Sequence, residues 1–183
     1  MKEMIIKVCI AGEGGTGKTT LLHRLIEGKF IADMKMTIGT GLMTYQVTVK
    51  DIRIVFQLWD FAGEERFRFF LPAYLKGAKS VLLCYDTTRF TTFQNLDEWY
   101  SIVENVLDVN NVLIYLIGTK IDLTDKRSVN KDVIDDFLKL KKFDRYFETS
   151  SKTGENIKEI FQQLAEDVFE KQKEEITKGN IVL

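Results

Sequence analysis

Short apolar runs alternate along the chain with segments of helical periodicity. Three runs, at 4–12, 80–86 and 111–119, contain few polar residues. Strands that are buried on both faces of a parallel sheet have this nearly continuous apolar pattern. We therefore predict that these three segments are central strands.

Two further runs predict one edge of the sheet. Residues 42–49 and 52–60 are separated only by Lys50 and Asp51. So short a connection permits an antiparallel hairpin, whereas parallel strands need a long crossover. The predicted sheet is therefore mixed.

Apolar residues three and four positions apart mark the helices between and after these strands. The stripes are Phe93, Leu96, Trp99 and Val103; Val133, Ile134, Phe137 and Leu138; and Ile157, Ile160, Phe161, Leu164 and Val168. Alternating strands and helices predict an open α/β sheet with helices on both faces. Ligands of such sheets bind at the carboxyl ends of the strands, where the functional site is expected.

Composition narrows the class of protein. The chain has 183 residues, 45% of them hydrophobic, which fits a single domain over 1–183. A net charge of −1 offers no basic field for nucleic acid. The two cysteines, Cys9 and Cys84, lie in apolar runs and favour the reducing cytoplasm over a disulfide framework. The N-terminal apolar run is too short for a signal peptide or a membrane span.

The segment GEGGTGKT, residues 12–19, lies between the first strand and a helix. It matches the phosphate-loop pattern G-x-x-x-x-G-K-[ST], in which backbone N–H groups point at phosphate oxygens. Lys18 is expected to bridge the β- and γ-phosphates, and the Thr19 hydroxyl to bind Mg²⁺. The predicted contact residues are Gly12, Gly14, Gly15, Thr16, Gly17, Lys18, Thr19 and Thr20. The loop alone does not distinguish ATP from GTP, or a kinase from a switch.

The segment GTKIDL, residues 118–123, places Lys120 and Asp122 at the end of a predicted strand. An ionised carboxylate only accepts hydrogen bonds, so Asp122 suits the N–H donors of guanine and rejects the acceptor at adenine N1. A third strand end follows at ETSSKTGENI, residues 148–157. There a backbone N–H of Ser150, Ser151 or Lys152 is expected to meet the guanine O6.

Five segments occur in a fixed order: GEGGTGKTT, TIG, WDFAGEERF, TKID and ETSSKTGENI. Together they resemble the nucleotide motifs of the Ras superfamily of small GTPases, and the Rab branch is the most similar. The resemblance extends from about Ile5 to about Phe169. An Arf-like protein would have an N-terminal amphipathic helix with a myristoylatable glycine, and a Rho-like protein an insert after TKID; neither is visible.

The resemblance implies a fold, ligands and residue roles. The fold is the three-layer P-loop NTPase (Ras-like) fold: a six-stranded mixed sheet, mostly parallel with one antiparallel edge strand, between two layers of helices. GTP or GDP binds with Mg²⁺; Phe30 stacks edge-on against guanine, and Thr119 belongs to the base motif. Thr37 and Asp60, the latter through water, hold the metal with Thr19. Gly63 contacts the γ-phosphate, so hydrolysis releases Thr37 and Gly63 together.

Glu64 departs from the family pattern because the resemblance places a water-orienting glutamine there. A carboxylate about 5 Å from a γ-phosphate charge is repelled by roughly 3 kcal/mol at an effective dielectric of 20. Glu64 could turn outward, be protonated, or hold the attacking water as a base. The implied catalytic residues are Glu64, Lys18, Thr37 and Gly63.

Thr119 also departs from the family pattern. It stands where asparagine is common, so an amide that braces the phosphate loop is expected to be lost.

Leu42, Trp59 and Tyr74 match an apolar patch through which Rab-like proteins contact effectors. An equally open interpretation is that they are simply core residues. No inserted helical domain supplies an arginine in cis, so hydrolysis is expected to be slow until a partner supplies one. Such an arginine raises the hydrolysis rate by about 10³- to 10⁵-fold. GAP and GEF proteins are therefore expected partners, and the protein is expected to be a monomer.

The chain ends in KGNIVL with no cysteine for prenylation, and Lys2 stands where myristoylation needs glycine. We expect no direct membrane anchor and a cytoplasmic location; an ancestral or prokaryotic-type relative and a trimmed chain both fit this ending.

Three functions remain open. A slow GTP-hydrolysing switch is favoured by the motifs. A binding module with little hydrolysis is favoured only by Glu64, and a P-loop kinase or ATPase is disfavoured because TKID and ETSSK would be coincidences.

Overall fold

A six-stranded mixed sheet forms the centre of the protein. The computed structural model describes residues 2–32 and 34–177. The strands are β1 (Lys2–Ala11), β2 (Thr40–Val49), β3 (Ile52–Phe61), β4 (Ser80–Asp86), β5 (Leu113–Thr119) and β6 (Arg145–Glu148), in the order β2-β3-β1-β4-β5-β6. Only β2 runs antiparallel to its neighbour, with Val49 opposite Ile52 across the Lys50–Asp51 turn. The predicted mixed sheet and its hairpin edge are confirmed.

Seven α-helices and one short 3₁₀ helix, Thr124–Lys126, lie between or after these strands within the described part of the chain. The α-helices are α1 (Lys18–Glu27), α2 (Glu65–Arg68), α3 (Leu71–Leu75), α4 (Phe90–Gln94), α5 (Leu96–Val106), α6 (Lys131–Leu140) and α7 (Ile157–Thr177). Within these ranges no helix combines the length and the apolar character that crossing a membrane requires.

Alternate residues of the central strands supply two separate cores. Ile10 of β1 and Leu82 of β4 pack in one cluster with α1 and α7, while Ala11 and Leu83 pack in the other with α3, α5 and α6. Successive side chains of a strand point to opposite faces of a sheet. The helices therefore cover both faces, as the alternating pattern predicts.

The predicted helix through 93–103 is two helices. Asn95 ends α4 and precedes α5, and its ψ of −6° departs from α-helical geometry. The stripe itself is correct, since Phe93, Leu96, Trp99 and Val103 are all buried. The prediction for Val133 is wrong: it is exposed on the first turn of α6, and Ile134 and Phe137 make the core contacts.

The five parallel strands β1, β3, β4, β5 and β6 end at one edge of the sheet. The segments that leave them there are the phosphate loop, the segment containing Glu64, the turn after Asp86, the TKID segment and the ETSSK segment. The topology thus brings together motifs that are far apart in the sequence.

Candidate functional site

The phosphate loop joins β1 to α1 through three glycines with positive φ. Gly12, Gly15 and Gly17 have φ values of 136°, 69° and 87°, which side-chain-bearing residues rarely adopt. Gly12 also packs tightly on β4, because a Cβ built on it would lie 2.2 Å from the Cys84 carbonyl oxygen. Within the loop, Gly12 and Thr16 are buried, whereas Gly14, Gly15 and Gly17 line a cavity.

Lys18 lies beneath this loop with its side chain almost fully buried. Its ammonium group donates hydrogen bonds to the carbonyl oxygens of Gly12 at 2.8 Å and Glu13 at 2.7 Å. Burial lowers the pKa of Lys18, and the negative charges of Asp60 and Glu13 oppose that effect. An anion in the cavity would stabilise the charged form of Lys18 in the same way.

Three oxygen atoms converge at the start of α1. The hydroxyl oxygens of Thr19 and Thr37 lie 2.5 Å apart, and the Thr19 hydroxyl donates to Asp60 Oδ2, also at 2.5 Å. The Thr37 hydroxyl lies 3.3 Å from the same carboxylate oxygen. The structure therefore brings together the three residues predicted to hold the metal.

The environment of Asp60 fits a divalent cation. Burial raises the pKa of its carboxyl group, although hydrogen bonds from Thr19 and Thr37 and the charge of Lys18 oppose the rise. Its second oxygen, Oδ1, is buried without a hydrogen-bond partner. A hard cation such as Mg²⁺ prefers oxygen ligands of this kind and would compensate the buried charge.

Glu64 lines the same cavity as the phosphate loop and does not turn fully outward. Its side chain is 26% exposed, and Oε2 forms an ion pair with Arg66 Nε at 2.6 Å. Met34 and Met36, from the segment before Thr37, also line the cavity. The Glu64 carboxylate is thus near the expected phosphate position, with an arginine offsetting its charge.

Gly63 approaches the phosphate loop so closely that no larger residue fits. A Cβ built on Gly63 would lie 2.3 Å from the carbonyl carbon of Glu13 and from the amide nitrogen of Gly14. Because these are backbone atoms, they cannot move aside as a flexible side chain would. The close approach explains why glycine is needed here.

A second cavity of about 450 Å³ adjoins the first, within the size range of small-ligand sites. Its lining comprises Gly15, Gly17, Thr20, Phe30, Ala32, Met34, Thr119, Lys120, Asp122, Leu123, Ser151 and Lys152. Asp122 is fixed there by Ser150, whose hydroxyl donates to Asp122 Oδ1 at 2.6 Å. The predicted base-binding residues are therefore together, with Ser150 buried behind Asp122.

Thr119 braces the phosphate loop, contrary to the loss expected from the missing amide. Its hydroxyl lies 2.6 Å from the Thr16 carbonyl oxygen, which accepts the hydrogen bond. A threonine hydroxyl therefore does what the amide was expected to do.

Sequence reasoning missed Arg89, which also contacts the loop. Its guanidinium donates to the Gly14 carbonyl oxygen at 2.9 Å. Local sequence gives no signal for this contact, because the partners are 75 positions apart.

The predicted effector patch is partly exposed. Leu42 is 58% exposed, whereas Trp59 and Tyr74 are half-buried with their ring centroids 5.7 Å apart. The Lys7 ammonium lies 4.5 Å from the Trp59 ring centroid. Both earlier interpretations are therefore partly met: Leu42 is a surface residue, and the two rings also pack against the core.

The Ras family model matches residues 7–170. The Rab-7a protein of Dictyostelium discoideum is 36% identical over 171 residues, covering 92% of this chain and 84% of that protein. The RABG3f protein of Arabidopsis thaliana is 35% identical over 179 residues, covering 95% and 87%. The Ypt/Rab-type GTPase Rab7 of Neurospora crassa is 34% identical over 183 residues, covering 98% and 89%. The chain thus belongs to the Ras family and is a Rab-like small GTPase.

Proposed function

We propose that this protein is a molecular switch that binds GTP and GDP with Mg²⁺ at the two adjoining cavities. The observation that carries the proposal is that Gly15, Gly17, Thr20 and Met34 line both cavities. A single ligand can therefore place its base in the larger cavity and its phosphates in the smaller one.

Guanine recognition is assigned to Asp122. Its carboxylate lines the larger cavity and is held by Ser150, so it is oriented before the ligand binds. Phe30 is 42% exposed and lines the same cavity, where its ring would meet the base edge-on. Ser151 and Lys152 lie on the same wall, where a backbone N–H suits the guanine O6. Adenine has neither the donors for Asp122 nor that acceptor.

The phosphates are assigned to Gly14, Gly15, Gly17 and Lys18. Thr19, Thr37 and Asp60 would hold Mg²⁺, Asp60 through water, and the bound ion offsets negative charge on the phosphates. Asp60 supports this assignment because its buried carboxylate has one unpartnered oxygen.

Hydrolysis is proposed to be slow in the isolated protein. Glu64 would orient the attacking water, Lys18 would stabilise charge on the transferred phosphoryl group, and Thr37 and Gly63 would fix its position. Arg66, which pairs with Glu64, reduces the repulsion between the carboxylate and the phosphates. A partner's arginine would accelerate the reaction.

The two states would differ at Thr37 and Gly63, which contact the site from separate segments. Effectors would read those segments together with Leu42, Trp59 and Tyr74, while GAP and GEF proteins would set the lifetime of each state. We further propose a cytoplasmic monomer with one domain over 1–183 and a Rab-like role in trafficking or signalling. The similarity to Rab7 proteins supports the Rab-like role.

The test is a nucleotide panel with the purified protein and Asp122→Asn. Wild type is expected to bind GDP and GTP at least about 100-fold more tightly than ATP. Asp122→Asn is expected to lose guanine affinity and gain affinity for XTP, because its amide can donate to the xanthine 2-carbonyl. ATP binding as tight as GTP binding in wild type would refute the assignment.

A further inference from the structure

Three consecutive peptide groups of the phosphate loop have a donor on their carbonyl oxygens. Arg89 donates to Gly14 O at 2.9 Å, Lys120 to Gly15 O at 2.9 Å, and Thr119 to Thr16 O at 2.6 Å. Two of the three donors are cationic side chains. The carbonyl oxygens of the loop are therefore held by three donors, of which Thr119 and Lys120 also line the base cavity.

These contacts act on the ligand side through the peptide groups themselves. In a trans peptide the C=O and N–H bonds point in opposite directions. A donor on the Gly14 carbonyl oxygen therefore polarises the N–H of Gly15, which belongs to the same peptide group. Hydrogen bonds in such chains strengthen one another. Gly14 lines only the phosphate cavity and Gly15 lines both cavities, so this peptide lies at the phosphate end of the site rather than at the base.

Asp86 holds Arg89 in this orientation. Its Oδ2 accepts from Arg89 Nε at 3.0 Å and from Lys120 Nζ at 2.6 Å, and its Oδ1 accepts from Thr88. Burial by itself raises the pKa of Asp86, but the hydrogen bonds from Lys120 and Thr88 outweigh it and the pKa is lowered. The guanidinium is therefore pre-organised against the loop by a buried carboxylate.

Arg89 also occupies the space beside Gly15. A Cβ built on Gly15 would lie 3.4 Å from a terminal guanidinium nitrogen of Arg89. Arg89 lines neither cavity, so it contacts the loop without facing the ligand directly.

We propose that Arg89 is a positioning residue that strengthens binding of the phosphates beyond the α-phosphate, acting through the Gly14–Gly15 peptide. The proposal rests on the nucleotide site proposed above. If Arg89 only supported the fold, its loss would weaken every guanine nucleotide alike. If it polarises this peptide, its loss weakens GDP and GTP and leaves GMP, which lacks the β-phosphate, unchanged.

The experiment measures dissociation constants of GMP, GDP and GTP with Mg²⁺ for wild type, Arg89→Ala, Arg89→Lys and Arg89→Gln. Arg145→Ala is the matched control. Arg145 pairs with Asp167 and begins β6, whereas the site lies at the other end of that strand. For Arg89→Ala we expect GDP and GTP to bind about fivefold more weakly, as for a lost charge-assisted contact, with GMP unchanged. Arg89→Lys should recover part of the loss. The ³¹P resonance of the GDP β-phosphate should shift in Arg89→Ala and stay in place in Arg145→Ala.

Equal weakening of GMP and GDP, or no weakening of either, would overturn the role of Arg89. If Arg89→Ala does not fold, Arg89→Gln decides: it keeps a donor but lacks the charge, and the same selective loss is expected, smaller in size. Failure of wild type to bind GDP would overturn the nucleotide site and this proposal together, so the two failures are distinguishable.

Discussion

The guanidinium of Arg68 donates to the Glu13 carboxylate at 2.7 Å, joining the segment after Glu64 to the phosphate loop. The same Glu13 oxygen accepts from Trp99 Nε1 at 3.0 Å, and the guanidinium carbon lies 4.8 Å from the Trp99 ring centroid. Arg68 also forms an ion pair with Glu98. The segment that contains Arg68 is thus tied to both the phosphate loop and α5.

This pair should make a measurable contribution to stability. Both side chains are largely shielded from solvent, with 17% and 21% exposure. We expect Arg68→Ala and Glu13→Ala each to lower the free energy of unfolding of the GDP-bound protein by about 1–3 kcal/mol. Because they contact one another, their coupling should be about 1 kcal/mol. Urea unfolding of both single variants and the double variant measures it.

The exposed pair Lys139–Asp136, at a similar separation of 2.9 Å, is the matched control. Its coupling should be too small to measure, because solvent screens exposed pairs. A coupling between Arg68 and Glu13 no larger than that of the control would contradict the interpretation.

Gly63→Ala should uncouple the segment that contains Gly63 and Glu64 from the phosphate loop. The added Cβ would fall 2.3 Å from backbone atoms of Glu13 and Gly14, so the segment must move away. A displacement of about 1 Å at a reacting centre costs on the order of 100-fold in rate. We expect that loss in single-turnover GTP hydrolysis, with GDP affinity largely retained.

Gly41→Ala is the control for this variant. Its Cβ would make an ordinary contact at 3.7 Å with the Asp60 side chain. Its hydrolysis rate should match that of wild type. Normal hydrolysis by Gly63→Ala would show that the close approach of the two segments is not required.

The pair Arg127–Glu148 links the segments that carry Asp122 and Ser150. The hydrogen bond from Arg127 lowers the pKa of Glu148 from its ordinary value of 4.5, with burial opposing and Tyr146 assisting. A lowered carboxyl pKa stabilises the folded state above the unfolded pKa, and this stabilisation is lost as pH falls through the folded pKa. Glu148→Gln should therefore cost about 1.5 kcal/mol at pH 7.

The difference between wild type and Glu148→Gln should shrink as pH falls below 4.5. Thermal or urea unfolding between pH 3 and pH 7 would follow it, over the range where a carboxyl group titrates. A difference that stays constant across that range would indicate that the carboxylate charge has no part in the contribution.

The strands and the motif positions could be predicted because their signals are local. An apolar run buried on both faces, such as 111–119, is visible without knowing its neighbours, and the phosphate loop is specified by residue types at fixed spacing. The contacts of Arg89 and Arg68 could not be predicted, because each depends on which distant segments the sheet brings together. The break at Asn95 was also hidden, since the apolar stripe continues across it.

Some predictions about the site stay predictions. The geometry places Thr19, Thr37 and Asp60 together, but their metal, the bound nucleotide and the monomeric state follow from the proposal alone. The expected loss of a brace at Thr119 is wrong for a physical reason. Its side chain is long enough for the hydroxyl to reach Thr16 O from the end of β5.

The most direct test of the account is single-turnover GTP hydrolysis with Mg²⁺ by wild type, Glu64→Gln and Glu64→Ala, following phosphate release and nucleotide retention together. We predict that wild type releases phosphate and that Glu64→Gln does so at the same rate or more slowly. Glu64→Ala should release phosphate about 100-fold more slowly than wild type, because the attacking water loses its hydrogen-bond partner. Intact GTP on wild type, with turnover restored by Glu64→Gln, would contradict the account and identify a binding module in which the glutamate disables hydrolysis.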